Sequence, residues 1–162
     1  MERYTGLGFA AIIALVLKSC SNTEKASSVC EDCPETITIV IDKNRKLGVA
    51  KYPTTVAQFK VFLKATNYIT ESDKNADKGC WGLRRDKSVG WMPGENWYNN
   101  RLDQDSSHPV ICVSWNDAIT YANWLSKKTG HIYRLPSSDE WEFFASAGAK
   151  TKYFYGDDEK NI

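Results

Sequence analysis

Residues 114–130, SWNDAITYANWLSKKTG, contain the full set of signals for one amphipathic helix. Ser114 and Asp117 have the spacing of a capping box, in which two side chains cap the first turn. Apolar residues then recur at helical intervals and predict one buried side: Ala118, Tyr121, Ala122 and Leu125. Two lysines in the last turn interact favourably with the helix dipole, and Gly130 predicts the end of the helix. This segment therefore predicts a helix that packs against a core.

Two strands and a second helix are predicted upstream. Residues 36–41, TITIVI, are β-branched throughout and predict a strand. A second short strand is expected at residues 48–52, after a turn. Thr55 and Gln58 then form a capping box for a helix that ends near Asn67. Its apolar side comprises Val56, Phe59, Phe62 and Leu63.

A third helix is predicted downstream, where Ser137 and Glu140 form a capping box directly after Pro136. The helix should end at Gly148, and three of its residues should face the core: Trp141, Phe144 and Ala145. Its acids are interpreted as partners of the positive end of the helix dipole rather than as acid-base catalysts: Asp139, Glu140 and Glu142. Arg134 is expected to pair with a buried carboxylate.

The segment between the first two helices, residues 69–109, shows little periodicity but many aromatic residues: Trp81, Trp91, Trp97 and Tyr98. A loop of this length should be functional or heavily cross-linked. Core filling is preferred for most of these rings, and a peptide or sugar site is the alternative. A structural disulfide between Cys80 and Cys112 is preferred over a metal site made by the same two residues.

Composition limits the classes of function. The 162 residues suffice for one domain with a hydrophobic core, and 42% of them are hydrophobic. The 21 basic and 20 acidic residues leave a formal net charge of +1, so there is no basic face for a phosphate backbone. Nucleic acid is therefore excluded as a partner. The two histidines, His108 and His131, lie at a strand entry and after a helix stop, and neither is assigned as a metal ligand.

The amino terminus predicts export. Arg3 precedes an apolar run at residues 6–17, and Leu17-Lys18-Ser19-Cys20 follows, as in a bacterial lipoprotein signal, although Lys18 is unusual there. Residues 1–20 are thus predicted as the signal peptide, with Cys20 as the lipid-attachment residue. Residues 21–35 are predicted as a flexible tether. The tether contains Cys30 and Cys33, for which a local disulfide or unpaired thiols are preferred over zinc.

Seven blocks of residues together resemble the formylglycine-generating enzyme, or sulfatase-modifying factor, family. They are KYPTTVAQF (51–59), ATNY (65–68), GCW (79–81), HPVICVSWNDA (108–118), YANWL (121–125), YRLPSSDEWE (133–142) and YGD (155–157). Their order and spacing match the family over about residues 50–158.

This resemblance implies an α+β domain with a C-type-lectin-like fold at residues 36–162. Short, mostly antiparallel strands, about three helices and long ordered loops are expected. The family includes oxidases that convert a sulfatase cysteine to formylglycine with molecular oxygen and copper held by two cysteines. It also includes iron-dependent sulfoxide synthases and exported lipoproteins. Membership alone therefore does not fix an activity.

The family's copper-binding cysteines lie beyond the segment that matches residues 155–157, so the domain is expected to be truncated at its C-terminal side. No catalytic residue, metal ligand or cofactor is assigned to this chain, and copper is expected only in a full-length enzymatic relative. The predicted protein is inactive as it stands and lies in the bacterial cell envelope, membrane-anchored and facing the periplasm or the cell surface. Sulfatase clients, an envelope protein or a glycan are the expected partners. The alternative is a non-catalytic surface lipoprotein whose lectin-like domain binds a protein or glycan.

Overall fold

The structure, a computed structural model, describes residues 16–18, 33–149, 151 and 156. Within these ranges it is an α+β fold with short antiparallel strands, as expected, and it has four helices rather than about three. Of the predicted leader and tether, only residues 16–18 and 33–35 are described. Cys20 and Cys30 lie outside the described residues.

The described residues include a four-stranded antiparallel sheet with the strand order β2-β3-β1-β6. Its strands are β1 (Val16–Lys18), β2 (Thr36–Asp42), β3 (Arg45–Ala50) and β6 (Tyr133–Arg134). The second upstream strand thus lies a few residues earlier than the predicted 48–52. Strand β1 comes from the stretch predicted as signal peptide, and it pairs with both β3 and β6.

The three helices predicted from capping boxes are confirmed, and a short fourth helix lies between the first two. The helices are α1 (Val56–Thr66), α2 (Glu71–Lys74), α3 (Trp115–Thr129) and α4 (Ser138–Ser146). Thr55, Ser114 and Ser137 each form the reciprocal capping box. Among the described helices, none is long and apolar enough to cross a membrane.

The main core lies between α1 and α3 and is largely aromatic. Phe59, Phe62, Tyr121 and Leu125 are fully buried. The ring of Tyr121 lies 5.6 Å from that of Phe62 and 5.8 Å from that of Phe59. The apolar sides predicted for these two helices are therefore the sides that pack together.

The prediction for the inner side of α4 is only partly right. Phe144 packs against Leu47 and Val49 on the sheet. Trp141 is 39% exposed and Ala145 is also exposed, so both were wrongly predicted to point inward. The physical reason is that no residue of α4 is buried, and among its described residues only Phe144 packs against a core cluster.

Residues 69–109 are more regular than the sequence indicated. Besides α2, they form a hairpin of β4 (Cys80–Leu83) and β5 (Val89–Met92). Core filling was the wrong interpretation for most of the aromatic residues here, because Trp81, Trp91 and Tyr98 are exposed. Trp97 does pack on the core, with its ring 6.0 Å from that of Phe59.

Candidate functional site

A cavity of about 670 Å³ lies beside the β4–β5 hairpin. Its lining comes from the hairpin, from the start of α2, from residues 101–102 and from residues 111–114, which lead into α3. The lining is mostly apolar, with a few charged side chains. Concave sites of this size and character are the usual binding sites of proteins.

Glycines shape the hairpin that forms one wall. Gly82 and Gly90 face each other across the two strands. A Cβ at Gly90 would lie 2.4 Å from the guanidinium carbon of Arg84, so the glycine leaves room for that side chain. Gly79, just before β4, has a φ of 66°, and a Cβ there would lie 1.8 Å from the carbonyl oxygen of Met92. The backbones therefore approach more closely than any other residue would permit.

A disulfide fastens the hairpin to the segment before α3. The structure joins Cys80 to Cys112, with the two Cα atoms 5.2 Å apart. Cys112 has a φ of 56°, in the left-handed region that non-glycine residues rarely adopt. Its carbonyl oxygen accepts a hydrogen bond from the Ser72 hydroxyl at 3.2 Å. The cross-link and this hydrogen bond together hold three walls of the cavity at one point.

Asp117 connects α3 to α2 from inside the protein. Its carboxylate is fully buried. It accepts hydrogen bonds from the backbone N–H of Ser114 at 2.8 Å, the backbone N–H of Glu71 at 3.1 Å and the hydroxyl of Tyr68 at 2.9 Å. Burial, together with the neighbouring carboxylate, raises the pKa of Tyr68. A residue expected only to cap a helix thus also positions the short helix that borders the cavity.

Charged side chains of both signs line the cavity. Arg101 lies 3.7 Å from a carboxylate oxygen of Glu95 and also contacts the sulfur of Met92. Glu71 accepts a hydrogen bond from the Asn116 amide at 2.6 Å, and this bond lowers the pKa of Glu71. Arg84 donates to the carbonyl oxygen of Trp91 at 3.0 Å. A ligand in this cavity would meet an apolar surface bordered by one ion pair and by two charged groups that are hydrogen-bonded to neutral partners.

The cysteine sulfurs and Glu95 raise the question of a metal. One ligand atom from each of Cys80, Glu95 and Cys112 lies within 4.8 Å of the others. Copper in this family is expected to be held by two thiolates, and sulfurs joined in a disulfide are not thiolates. These residues therefore do not fit the copper site that the resemblance implies.

The remaining candidate residues are dispersed. Cys33 is disulfide-bonded. His108 and His131 are exposed, and His108 lies 2.9 Å from Asp105. Arg134 forms a two-pronged ion pair with Glu140, both nitrogen-to-oxygen distances being 2.7 Å. Glu140 has a side chain only 16% exposed, and the ion pair supports the expectation that Arg134 has a structural partner.

The cavity residues Arg84, Glu95 and Arg101 were not predicted from the sequence. Their roles depend on a hairpin that was not predicted. One available signal was the alternation Trp81-x-Leu83 and Val89-x-Trp91 around RRDKS, residues 84–88, which is a hairpin pattern.

Comparisons with known proteins give a consistent result. Residues 38–162 match the model of the sulfatase-modifying factor enzyme 1-like domain. The formylglycine-generating enzyme of Mycobacterium tuberculosis is 31% identical over 144 residues, covering 72% of this chain and 46% of the relative. The enzyme of the same name from Streptomyces coelicolor is 32% identical over 133 residues, covering 70% of this chain and 40% of the relative. The chain thus spans less than half the length of these two relatives.

Two further relatives extend the range of the likeness. The inactive C-alpha-formylglycine-generating enzyme 2 of Bos taurus is 28% identical over 124 residues, covering 64% of this chain and 38% of the relative. The structure of PvdO from Pseudomonas aeruginosa superposes with a TM-score of 0.52 at 25% identity, covering 80% of this chain and 54% of that one. The architecture is therefore the C-type-lectin-like fold, and with most of its length matched to the domain model, the chain belongs to the sulfatase-modifying factor family.

Proposed function

We propose that this chain is a client-binding domain of the bacterial cell envelope that does not itself oxidise its client. In this proposal, the cavity beside the β4–β5 hairpin holds an extended polypeptide segment of a sulfatase or another envelope protein. The observation that carries the proposal is that the cavity is open while both cysteines in its wall are joined in a disulfide. The site can therefore hold a ligand without offering a thiolate pair for copper.

Polypeptide is favoured over glycan because of the lining. Ile111 and Leu102 supply apolar contact area, and the ion pair of Arg101 with Glu95 lies beside them. An apolar surface with a few polar groups suits the side chains and the backbone of a peptide. The inactive formylglycine-generating enzyme among the relatives is consistent with a family member that does not oxidise a client.

A binding experiment tests the cavity. A fluorescently labelled sulfatase peptide that contains the target cysteine is titrated with the protein, and anisotropy gives the Kd. Ile111→Glu should weaken binding at least about tenfold, because a charge would enter an apolar site. Ile132→Glu is the matched control, since Ile132 is 58% exposed and does not line the cavity. Equal Kd values for the two variants, or the absence of peptide binding, would contradict the proposed site.

A turnover experiment tests the non-catalytic part of the proposal. The protein is incubated with the same peptide, copper and oxygen, and mass spectrometry follows the target cysteine. We expect the cysteine to remain unmodified, because the thiols of Cys80 and Cys112 are consumed in the disulfide. Formylglycine in the peptide would show that the chain is an oxidase as it stands.

Envelope location is a separate part of the proposal, based on the signal-like sequence that ends at Cys20. Replacing Cys20 by Ser should abolish metabolic lipid labelling and release the protein from the membrane fraction. Protein that stays in the membrane fraction without a lipid would show that the lipoprotein assignment is wrong.

A further inference from the structure

The outer face of the β4–β5 hairpin is apolar and exposed. Trp81 pairs across the strands with Trp91, and Leu83 pairs with Val89. Because successive residues of a strand point to opposite sides, these four side chains share one face, while Gly82 and Gly90 share the other. Between 45% and 58% of each of the four side chains is exposed. The two indole rings contact each other edge to face at 5.4 Å.

Basic residues border this face. Residues 77–91 carry four basic side chains against two acidic ones, in a chain whose net charge is only +1. The ammonium of Lys78 lies over the ring of Trp91 at 5.8 Å. Arg85 and Lys87 are exposed in the turn that joins the two strands.

The carboxylate of Asp86, in the turn, forms local hydrogen bonds. Asp86 accepts hydrogen bonds from the backbone N–H of Ser88 at 2.9 Å and from its hydroxyl at 2.6 Å. Its carboxylate therefore serves to close the turn between the cations. The tip of the hairpin thus presents Arg85 and Lys87 outward, next to Val89 and Leu83.

Indole rings, aliphatic side chains and surrounding cations are the chemistry that recognises the surface of an anionic bilayer. Trp side chains favour the level of the lipid headgroups, aliphatic side chains enter just below it, and Lys and Arg meet the anionic headgroups. We propose that the outer face of the β4–β5 hairpin docks on an anionic lipid surface. Three of these residues, Trp81, Leu83 and Trp91, also border the cavity. The proposal therefore goes beyond client binding by adding a second kind of partner, an anionic bilayer, at the hairpin wall of that site.

Limited proteolysis of the full chain on vesicles tests this docking. Protein is reconstituted on vesicles of phosphatidylcholine, with or without phosphatidylglycerol, and trypsin cleavage is followed by mass spectrometry. Cleavage after Arg85 and Lys87 should slow on the anionic vesicles by about fivefold for each basic side chain at the surface. Added salt should reverse the effect. The internal control is cleavage after Lys43, in the β2–β3 turn, and after Arg45, the first residue of β3, which should not change.

Because an acyl anchor would hold the protein on both kinds of vesicle, the readout reports the hairpin and not the anchor. Trp81→Ser with Trp91→Ser should remove the protection. Neither ring belongs to a described core cluster, so the core should remain folded in this variant. A second, smaller test is Lys78→Ser against its matched control Lys46→Ser, and only the first should weaken protection. Equal cleavage on the two kinds of vesicle, or protection that survives loss of both indoles, would overturn the docking proposal. Client binding is judged separately, by the peptide titration of the Ile111→Glu variant.

Discussion

The α1–α3 core and the β4–β5 hairpin are both rich in aromatic side chains, and the two regions use them oppositely. In the core, Phe59, Phe62 and Tyr121 are fully buried and contact rings from two helices. In the hairpin, Trp81 and Trp91 are 49% and 45% exposed and contact each other. The core gains stability from buried rings, whereas the hairpin is ordered by a disulfide and close backbone contacts. Its rings therefore remain available to other molecules.

The largest expected effect lies in the core. Phe62→Ala should lower the free energy of unfolding by about 4 kcal/mol, because it removes a fully buried ring and leaves a cavity. Trp81→Ala should cost only about 2 kcal/mol, because half of its surface is already in water. Chemical denaturation of the two variants measures the difference. Similar losses would break the distinction between the two regions.

The next effect lies in the hairpin. Replacing both Cys80 and Cys112 by Ser should cost about 3 kcal/mol, since the cross-link closes a long loop. Hydrogen exchange should accelerate in β4 and β5 and change little in the middle of α3. Mutation is preferable to a reducing agent because Cys33 is also disulfide-bonded. Uniform acceleration across both regions would show that the cross-link stabilises the whole domain rather than the hairpin.

A smaller effect is expected where the two regions meet. Ser114→Ala removes the side-chain oxygen that accepts from the backbone N–H of Asp117 at 3.1 Å, and should cost about 1 kcal/mol. Ser138→Ala, inside the first turn of α4 rather than at a cap, is the control. Thermal unfolding distinguishes the two, and equal melting temperatures would contradict a capping role for Ser114.

The smallest effect lies outside both regions, at the ion pair of Arg134 and Glu140. Arg134 lowers the pKa of Glu140 from 4.5 to about 2. The folded state therefore favours the ionised acid, so this stabilisation is complete above pH 4.5 and is lost as the pH falls towards 2. Its size should stay below about 1 kcal/mol because water screens the exposed Arg134.

Unfolding of Glu140→Gln as a function of pH measures this contribution. The variant should be less stable than the unchanged protein at neutral pH, and the difference should shrink between pH 4.5 and 2. Glu142→Gln, at an exposed position of the same helix, is the control. A difference that does not vary with pH would show that the lost capping contact, rather than the charge, is responsible.

The sequence predicted the helices well because their signals are local. Ser114 and Asp117 cap α3 through residues three apart, and the buried side of that helix follows from its periodicity. The seven blocks that resemble the sulfatase-modifying factor family then indicated the fold. Neither kind of sequence signal depends on contacts between residues that are distant in the sequence.

The hairpin and the cavity could not be predicted in the same way because they depend on non-local contacts. The disulfide joins residues 32 apart in the sequence. Asp117 contacts Tyr68 and Glu71 across more than forty residues. The wrong placement of Trp141 has a similar cause, since periodicity identifies the apolar side of a helix but not how much of that side is covered.

The position of β1 bears on the proposed cleavage before Cys20. Val16–Lys18 lie between β3 and β6, so a mature chain that began at Cys20 would lack the strand connecting them. Two strand edges would then present unpaired backbone groups, which readily recruit another extended segment. Cleavage of such a precursor would therefore change the partners of β3 and β6 as well as remove a targeting signal.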